Sequence, residues 1–466
     1  MKLFSKETYK NRRDQLKKKM GSGVLLFLGN EESSINFKDN WYPFRQDSTF
    51  LYFFGLDLPG LAAIIDIDQD LEIIFGDNLT TEESIWQGDH TPISDLAYAI
   101  GVKNTKPKAE ISSYLTSSGD RKVHYLPAYR PENKQKLAYW FSKSIVEIES
   151  FVSVDFIKAV VSLRSIKSEE EIREITKAVN ISVNMHKKLM HQAKAGMNEY
   201  ELLGLVTGEA LSLGGNVSFP PIITTNGQIL HNHNYSNVLI NGKMLLGDFG
   251  AESELHYAGD ITRTIPVGPR FSDNQREVYQ IVHRSYQVAV SALKPGIRFK
   301  EVHLLACKKL AEGLKELGIM RGNIDDAVDQ GAHALFFQCG LGHMMGLDVH
   351  DMEDLGEEYV GYTEDFKKSS QFGLKSLRLG KELEKGFVIT IEPGIYFIPK
   401  LIEQWKAENL HKEFIDYSML EFYKDFGGIR VEDAYLITEN GSKLLGESLE
   451  IGLKDVEQIR EKYSSQ

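Results

Sequence analysis

Four acidic residues stand in or beside apolar, strand-like runs in the C-terminal half of this chain. They are Asp248 in LLGDFG, Asp260 in YAGDITRT, Glu392 in ITIEPG and Glu432 in GGIRVED. An ionised carboxylate in an apolar strand is costly unless its charge is paired or metal-bound. The fold must therefore supply a counter-charge at each position. Asp248 and Asp260 are 12 residues apart, a separation that a β-hairpin can close. Of the histidines between the two pairs of acids, two sit in segments of interest: His343 in GLGHMMG and His350 in LDVHD. Taken singly, each residue has an ordinary explanation. An Asp near a Gly is a turn residue, and Asp260 could cap a helix or pair with Arg263. His343 could be a satisfied buried histidine, Glu392 a surface acid at a strand end, and Glu432 half of a salt bridge with Arg430. Together they require four or five separate explanations, and one shared site is simpler. Four carboxylates and one imidazole form a hard, oxygen-rich donor set suited to manganese and, less specifically, to cobalt, iron or zinc. Around one ion they would leave excess negative charge, whereas two divalent ions would balance it, as in paired-ion hydrolytic sites.

The pattern of elements changes near residue 160. Upstream, Gly23 to Leu28, Leu61 to Ile67 and Leu71 to Phe75 read as strands, and Ile93 to Gly101 and Pro131 to Lys143 as helices. Interleaving of this kind predicts an α/β domain with a parallel or mixed sheet. Tyr9, Leu16 and Met20 suggest a surface helix before it. Downstream, Ser168 and Glu171 form a capping box, and Ile172, Ile175, Val179 and Val183 follow at helical spacing. Further helices are expected from near Asn198, from Asp273 to Leu293, where Pro295-Gly296 stops it, and from Lys300 to Leu317. The stretches VLINGKMLLGDFG, ITRTIPVG, GFVITIEPGIYF and GGIRVEDAYLIT read as β. Long helices with β-rich stretches predict an α+β domain. The expected domains are 1–160 and 161–466, with Glu353 to Lys385 a loop-rich insertion.

Composition removes several classes of function. The formal net charge of −12 argues against a nucleic-acid partner, which needs a basic face. The first residues have the charges of a signal peptide but no apolar stretch before Gly21, and no run approaches 18 apolar residues. Two unpatterned cysteines, Cys307 and Cys339, favour a reducing compartment. The expected location is the cytoplasm, with no membrane partner. There is no HExxH helix, no G-x-S-x-G elbow and no Walker A loop.

The segments YAGDITRTIPVG, GLGHMMGLDVHD, ITIEPGIYF and GGIRVED, in this order, resemble those of the aminopeptidase P and prolidase family. DNWYPFRQDSTFLYFFG, at residues 39 to 55, is similar to the family's N-terminal companion domain. The resemblance implies an α/β N-terminal domain and an α+β catalytic domain of the pita-bread (creatinase/aminopeptidase-like) fold. It implies five metal ligands for two divalent ions, Mn2+ first. Asp260 and Glu432 would bridge the ions, Asp248 would complete one site, and His343 with Glu392 the other. By the same resemblance, Glu392 moves a proton, His231 in GQILHNH contacts substrate, and His350 stabilises the tetrahedral intermediate. Arg430 lies against the ligand carboxylates, and Asp39 meets the amino end of the substrate. Three features depart from the family pattern. Gln338-Cys339 stand where Pro-His is common, Asp248 and Asp260 are one residue further apart than expected, and residues 399 to 426 insert a helical-looking stretch.

The implied activity is that of a Xaa-Pro aminopeptidase, which releases the first residue from peptides with proline second. A Xaa-Pro dipeptidase is the alternative, since the metal-site motifs do not separate the two. Pita-bread domains also occur as metal-free binding modules, but here all five ligand positions are filled. The family commonly forms homodimers or homotetramers.

Overall fold

The capping signals and apolar runs read from the sequence become elements largely where they were expected. The computed structural model describes residues 2–464. The chain divides into two compact units: Met1–Arg164 with Met352–Tyr359, and Ser165–Asp351 with Val360–Gln466.

The first unit is built on a five-stranded mixed sheet. Its strands are β1 (Val24–Leu28), β2 (Ala62–Asp66), β3 (Leu71–Phe75), β4 (Asn104–Lys106) and β5 (Val123–His124), in the order β4-β3-β2-β1-β5. The pairs β1–β2 and β2–β3 are antiparallel; β3–β4 and β1–β5 are parallel. The apolar sides of β1 to β3 are buried, and Phe27 meets Phe53, Phe54 and Phe156 edge-on or tilted at centroid distances of 5.1 to 5.3 Å. The helix Lys6–Met20 buries Tyr9 and Leu16 as expected, but it also buries Arg12 and Arg13. The Arg13 guanidinium is satisfied by Glu72 at 2.9 Å and by the carbonyls of Phe53 and Ile100, which is what makes its burial tolerable.

The second unit opens on the helix Glu169–Gln192. The Ser168 side chain accepts from the Glu171 N–H, and the Glu171 carboxylate accepts from the Ser168 N–H. The helices Glu199–Ser212, Asp273–Ala292 and Phe299–Glu316 follow, the last two packed together. The strands are β6 (Asn216–Val217), β7 (Ile222–Thr224), β8 (Met244–Phe249), β9 (Ala251–Glu252), β10 (Ile261–Pro266), β11 (Val388–Ile391), β12 (Gly394–Tyr396), β13 (Gly428–Arg430), β14 (Asp433–Ile437) and β15 (Ser442–Leu444). They form small sheets ordered β10-β8-β7 and β11-β14-β15, with the pairs β12-β13 and β6-β9. Of VLINGKMLLGDFG only Met244 onward is strand, because residues 241–243 form the turn that precedes it. Glu353 to Lys385 holds only short helical turns, and residues 399–426 carry the helix Pro399–Glu408 and a 3-10 turn, Met419–Tyr423.

Two strand crossings position the acids. β8 and β10 are antiparallel with Asp248 opposite Thr262. Between the aspartates lie β9 and a turn in which His256 has φ +64°. In the second crossing β11 pairs with β14 and β12 with β13 in one continuous register, interrupted only at Glu392-Pro393 and Val431-Glu432. That register sets Glu392 opposite Glu432. Glu432 therefore lies in a break between strands rather than inside one. His350 lies in a bend, because Gly346 and the Asp348–Asp351 turn curl the chain there.

Candidate metal centre

Opposed residues of an antiparallel pair point to the same face, and like charges in that position repel. Glu392 and Glu432 are such a pair, with Asp260 and Asp248 added from the β8–β10 hairpin. His343 joins them from the Gly-rich loop, which is tied to β11. The Thr390 N–H donates to the His343 carbonyl at 3.0 Å, and the Glu392 N–H to the Leu341 carbonyl at 2.7 Å. Gly342 is required for this approach, since a Cβ there would lie 2.0 Å from the Thr390 carbonyl oxygen.

The His343 ring is oriented by its own backbone. Nδ1–H donates to the Met344 carbonyl at 3.0 Å, which leaves the lone pair on Nε2. Nε2 faces Asp260 Oδ2 at 3.4 Å and Glu392 Oε1 at 3.6 Å. A ring nitrogen and carboxyl oxygens thus converge on one point. Donor atoms of Asp260, His343 and Glu432 all lie within 4.8 Å of one another. Asp260 Oδ1 and Glu432 Oε1 are buried with no hydrogen-bond partner. These are the features expected of residues awaiting a cation, and the oxygen-rich donor set fits divalent ions. Burial, then the Asp248 charge, pushes the Asp260 carboxyl well above the usual range. Burial, then Asp260, does the same to Glu432. Glu392 is raised to about 7 by burial, against the opposing pull of His343 and Arg430.

Arg430 and Thr262 brace the cluster. The Arg430 guanidinium donates to Asp248, to the Tyr396 hydroxyl at 2.8 Å and to Thr262 Oγ1 at 3.3 Å. The Thr262 hydroxyl donates to Glu432 Oε2 at 2.7 Å. The ordinary salt bridges considered from sequence do not form: Arg430 pairs with Asp248 rather than Glu432, and Arg263 with Asp433 rather than Asp260.

A cavity of about 520 Å³ opens on the cluster. His231, His350, Arg430 and all five candidate ligands line it, together with apolar Phe219, Pro220, Leu230 and Phe372. His231 stands exposed at the rim, and desolvation, then the Arg430 charge, lowers its pKa. The His350 ring meets His343 edge-on at 4.3 Å between centroids. Arg378 Nε–H donates to His350 Nδ1 at 3.2 Å, so the neutral ring carries its proton on Nε2. Gln338 and Cys339 line the cavity where the family commonly has Pro-His. Burial, then Glu392, raises the Cys339 thiol to about 11. Asp39 lies in the first unit, exposed in the turn closed by the Ser34–Trp41 bridge. Thr262, Tyr396 and Arg378 were not singled out from the sequence. The signal for the first two was their spacing, two residues past Asp260 and four past Glu392 on the same hairpins.

The family model for metallopeptidase family M24 matches residues 173–439, and that for the N-terminal domain of aminopeptidase P matches residues 9–125. The chain belongs to metallopeptidase family M24. This M24 protein is 31% identical over 432 residues to the human Xaa-Pro dipeptidase, covering 91% of this chain and 85% of the relative. It is also 31% identical over 447 residues to a probable Xaa-Pro aminopeptidase of Fusarium vanettenii, covering 94% and 91%. Among solved structures, a variant of Escherichia coli aminopeptidase P in complex with substrate superposes with a TM-score of 0.82 at 28% identity, covering both chains completely. The second unit is thus an M24 pita-bread domain, the fold expected from sequence, and the protein is a metal-dependent hydrolase.

Proposed function

We propose that this M24 hydrolase is a Xaa-Pro aminopeptidase that releases the N-terminal residue from peptides with proline second. The observation that carries this reading is the opposed pair Glu392 and Glu432, with bare oxygen on Glu432 and Asp260, at the floor of a cavity of about 520 Å³. The Fusarium relative and the E. coli structure favour the aminopeptidase. The human relative, a dipeptidase, supports the second reading, in which only Xaa-Pro dipeptides are cleaved.

Asp248, Asp260, His343, Glu392 and Glu432 would hold two divalent ions, with Asp260 and Glu432 shared. Bound divalent ions supply Lewis acidity, which activates water near neutral pH and offsets charge on the carbonyl oxygen. Manganese is the proposed ion, because four of the five donors are carboxylates. A Glu392 carboxylate oxygen takes the proton of the attacking water and passes it to the proline nitrogen as that nitrogen leaves. The scissile bond is a tertiary amide with no N–H, so recognition falls on the ring and the flanking carbonyls. The Nε2–H of His350 donates to the developing oxyanion, and His231 at the rim donates to a substrate carbonyl. Asp39 is proposed to meet the substrate's amino group. Arg430 holds Asp248 fixed in direction. The working form is proposed to be a cytoplasmic homodimer or homotetramer.

The test compares Ala-Pro with Ala-Pro-Ala on manganese-loaded protein, with and without chelator. Cleavage of the tripeptide, abolished by chelation and restored by manganese at least as well as by zinc, is the expected result. Cleavage of Ala-Pro alone would establish the dipeptidase reading. Activity indifferent to chelation in a metal-free preparation would remove both.

A further inference from the structure

The second unit holds another cluster of ligating side chains with no part in the mechanism above. His303 and Cys307 lie one turn apart on the helix Phe299–Glu316, and His333 is on the 3-10 turn Ala332–Leu335. All three are buried; His303 and Cys307 have no exposed surface and His333 is 2% exposed. Their donor atoms lie within 4.8 Å of one another. His303 Nε2 is 3.3 Å from Cys307 Sγ.

A hydrogen bond between His303 and Cys307 accounts for one ring nitrogen only. His303 Nδ1 and both nitrogens of His333 remain buried without a partner. Buried polar atoms in a packed core nearly always have partners. Three bare imidazole nitrogens beside a thiol are hard to reconcile with simple packing, and the Phe337 ring stacked 5.6 Å from His303 offers none of them a hydrogen bond. Zinc bound at about 2.0–2.1 Å to nitrogen and 2.3 Å to sulfur places those two atoms about 3.5 Å apart at a tetrahedral angle. The observed His303–Cys307 separation is close to that.

We infer that His303 through Nε2, Cys307 through Sγ and His333 through one of its two bare ring nitrogens form a second, structural metal site that takes one thiophilic divalent ion, Zn2+ in the first instance. Two imidazoles and a thiolate are the donors that suit this class of ion and separate it from the carboxylate-rich cavity, which suits harder ions. Burial holds both histidines neutral, His303 with a pKa of about 3 and His333 of about 4, the form that ligates. The Cys307 thiol, which burial raises well above its usual pKa, gives its proton to solvent as the ion binds. Three protein donors leave one coordination position for a water or a backbone oxygen. The ion would clamp the helix Phe299–Glu316 to the turn that leads into the Gly-rich loop bearing His343. Because the ligands are enclosed, the ion enters as the chain folds.

The test uses the full chain produced in medium supplied with Co2+ alone, then dialysed against chelator. Cobalt bound to thiolate gives a near-ultraviolet charge-transfer band that carboxylate and imidazole sites lack. The wild type should retain the band and one chelator-resistant cobalt per chain. Cys339→Ser should keep both, since Cys339 belongs to the cavity. Cys307→Ser should lose the band and that cobalt, and zinc in the growth medium should replace cobalt one for one in the wild type. His333→Asn, which keeps the thiol, is the second variant should Cys307→Ser not fold; it should release the cobalt to chelator. A wild type without the band, or a band that survives in Cys307→Ser, overturns the inference.

Discussion

Glu432 and Asp433 are adjacent in sequence, equally acidic and both buried, yet their surroundings are opposite. Asp433 is fully answered. Arg263 donates to Oδ1 at 2.8 Å, the Tyr286 hydroxyl to Oδ2 at 2.6 Å, and Tyr435 extends the network. Glu432 has Thr262 on one oxygen, nothing on the other, and Glu392 opposite it. One acid is finished by the protein, and the other is left for something the protein does not supply. Burial alone therefore does not distinguish structural from functional carboxylates; unmet bonding capacity does.

The comparison can be broken at either acid. The largest effect is expected at the unfinished pair: Glu392→Gln should lower kcat about 10²–10⁴-fold by removing the proton carrier, with thermal stability unchanged or raised. Near-normal turnover would place proton transfer elsewhere. At the finished acid the signs reverse. Asp433→Asn leaves Arg263 buried and uncompensated and should cost about 3–5 kcal/mol of stability in denaturant melts. The protein that remains folded should keep its turnover; a large kcat loss with intact stability would mean Asp433 is not the structural member. His350→Ala should then cost about 10²–10³-fold in kcat, as loss of one oxyanion donor does, with metal content intact. Unchanged turnover of a Xaa-Pro-Xaa peptide would leave His350 without that role.

The smallest expected effect is in pH dependence. With Glu392 raised to about 7 in the folded metal-free chain, the folded state holds a proton that the unfolded state, near 4.3, has released. Stability from this source is complete below the unfolded value and is lost as pH rises toward 7, on the order of 4 kcal/mol in all. Divalent ions bound as proposed would replace that proton. The difference in Tm between manganese-loaded and chelated protein should therefore widen from pH 5 to pH 7.5. A constant difference would show that the acids are not titrating against the ions.

The five candidate ligands could be singled out because each is an acid or histidine in or beside a largely apolar or glycine-rich run. The capping boxes and the β8–β10 hairpin were legible for similarly local reasons. What was not legible depends on pairing between distant segments. The opposition of Glu392 and Glu432 follows from a register shared by β11–β14 and β12–β13, and no local pattern encodes it. The same holds for Arg263: next to Asp260 in the sequence, it turns inward to Asp433, 170 residues away. The bend at His350 was not legible either: its backbone is curled by the Asp348–Asp351 turn, a contact between side chain and backbone that the composition of LDVHD does not announce. His303 and Cys307 share a helix face, yet only the return of the chain at His333 makes a cluster of them.

The interrupted ladder has a consequence in time as well as in space. Its two strands are separated by the helix Pro399–Glu408 and the 3-10 turn Met419–Tyr423, so it closes by a connection of 31 residues, 397–427, slower than the short β14–β15 hairpin. Only on closure do Glu392 and Glu432 come to face each other, and the repulsion between them appears at that last step. Divalent ions held at the proposed site would then act on a contact formed only after the ladder has closed. Interactions of that kind leave the folding rate alone and slow unfolding. Metal should therefore set the lifetime of the folded chain at high temperature, and chelation should shorten it, while refolding from denaturant proceeds at the same rate with or without the ions.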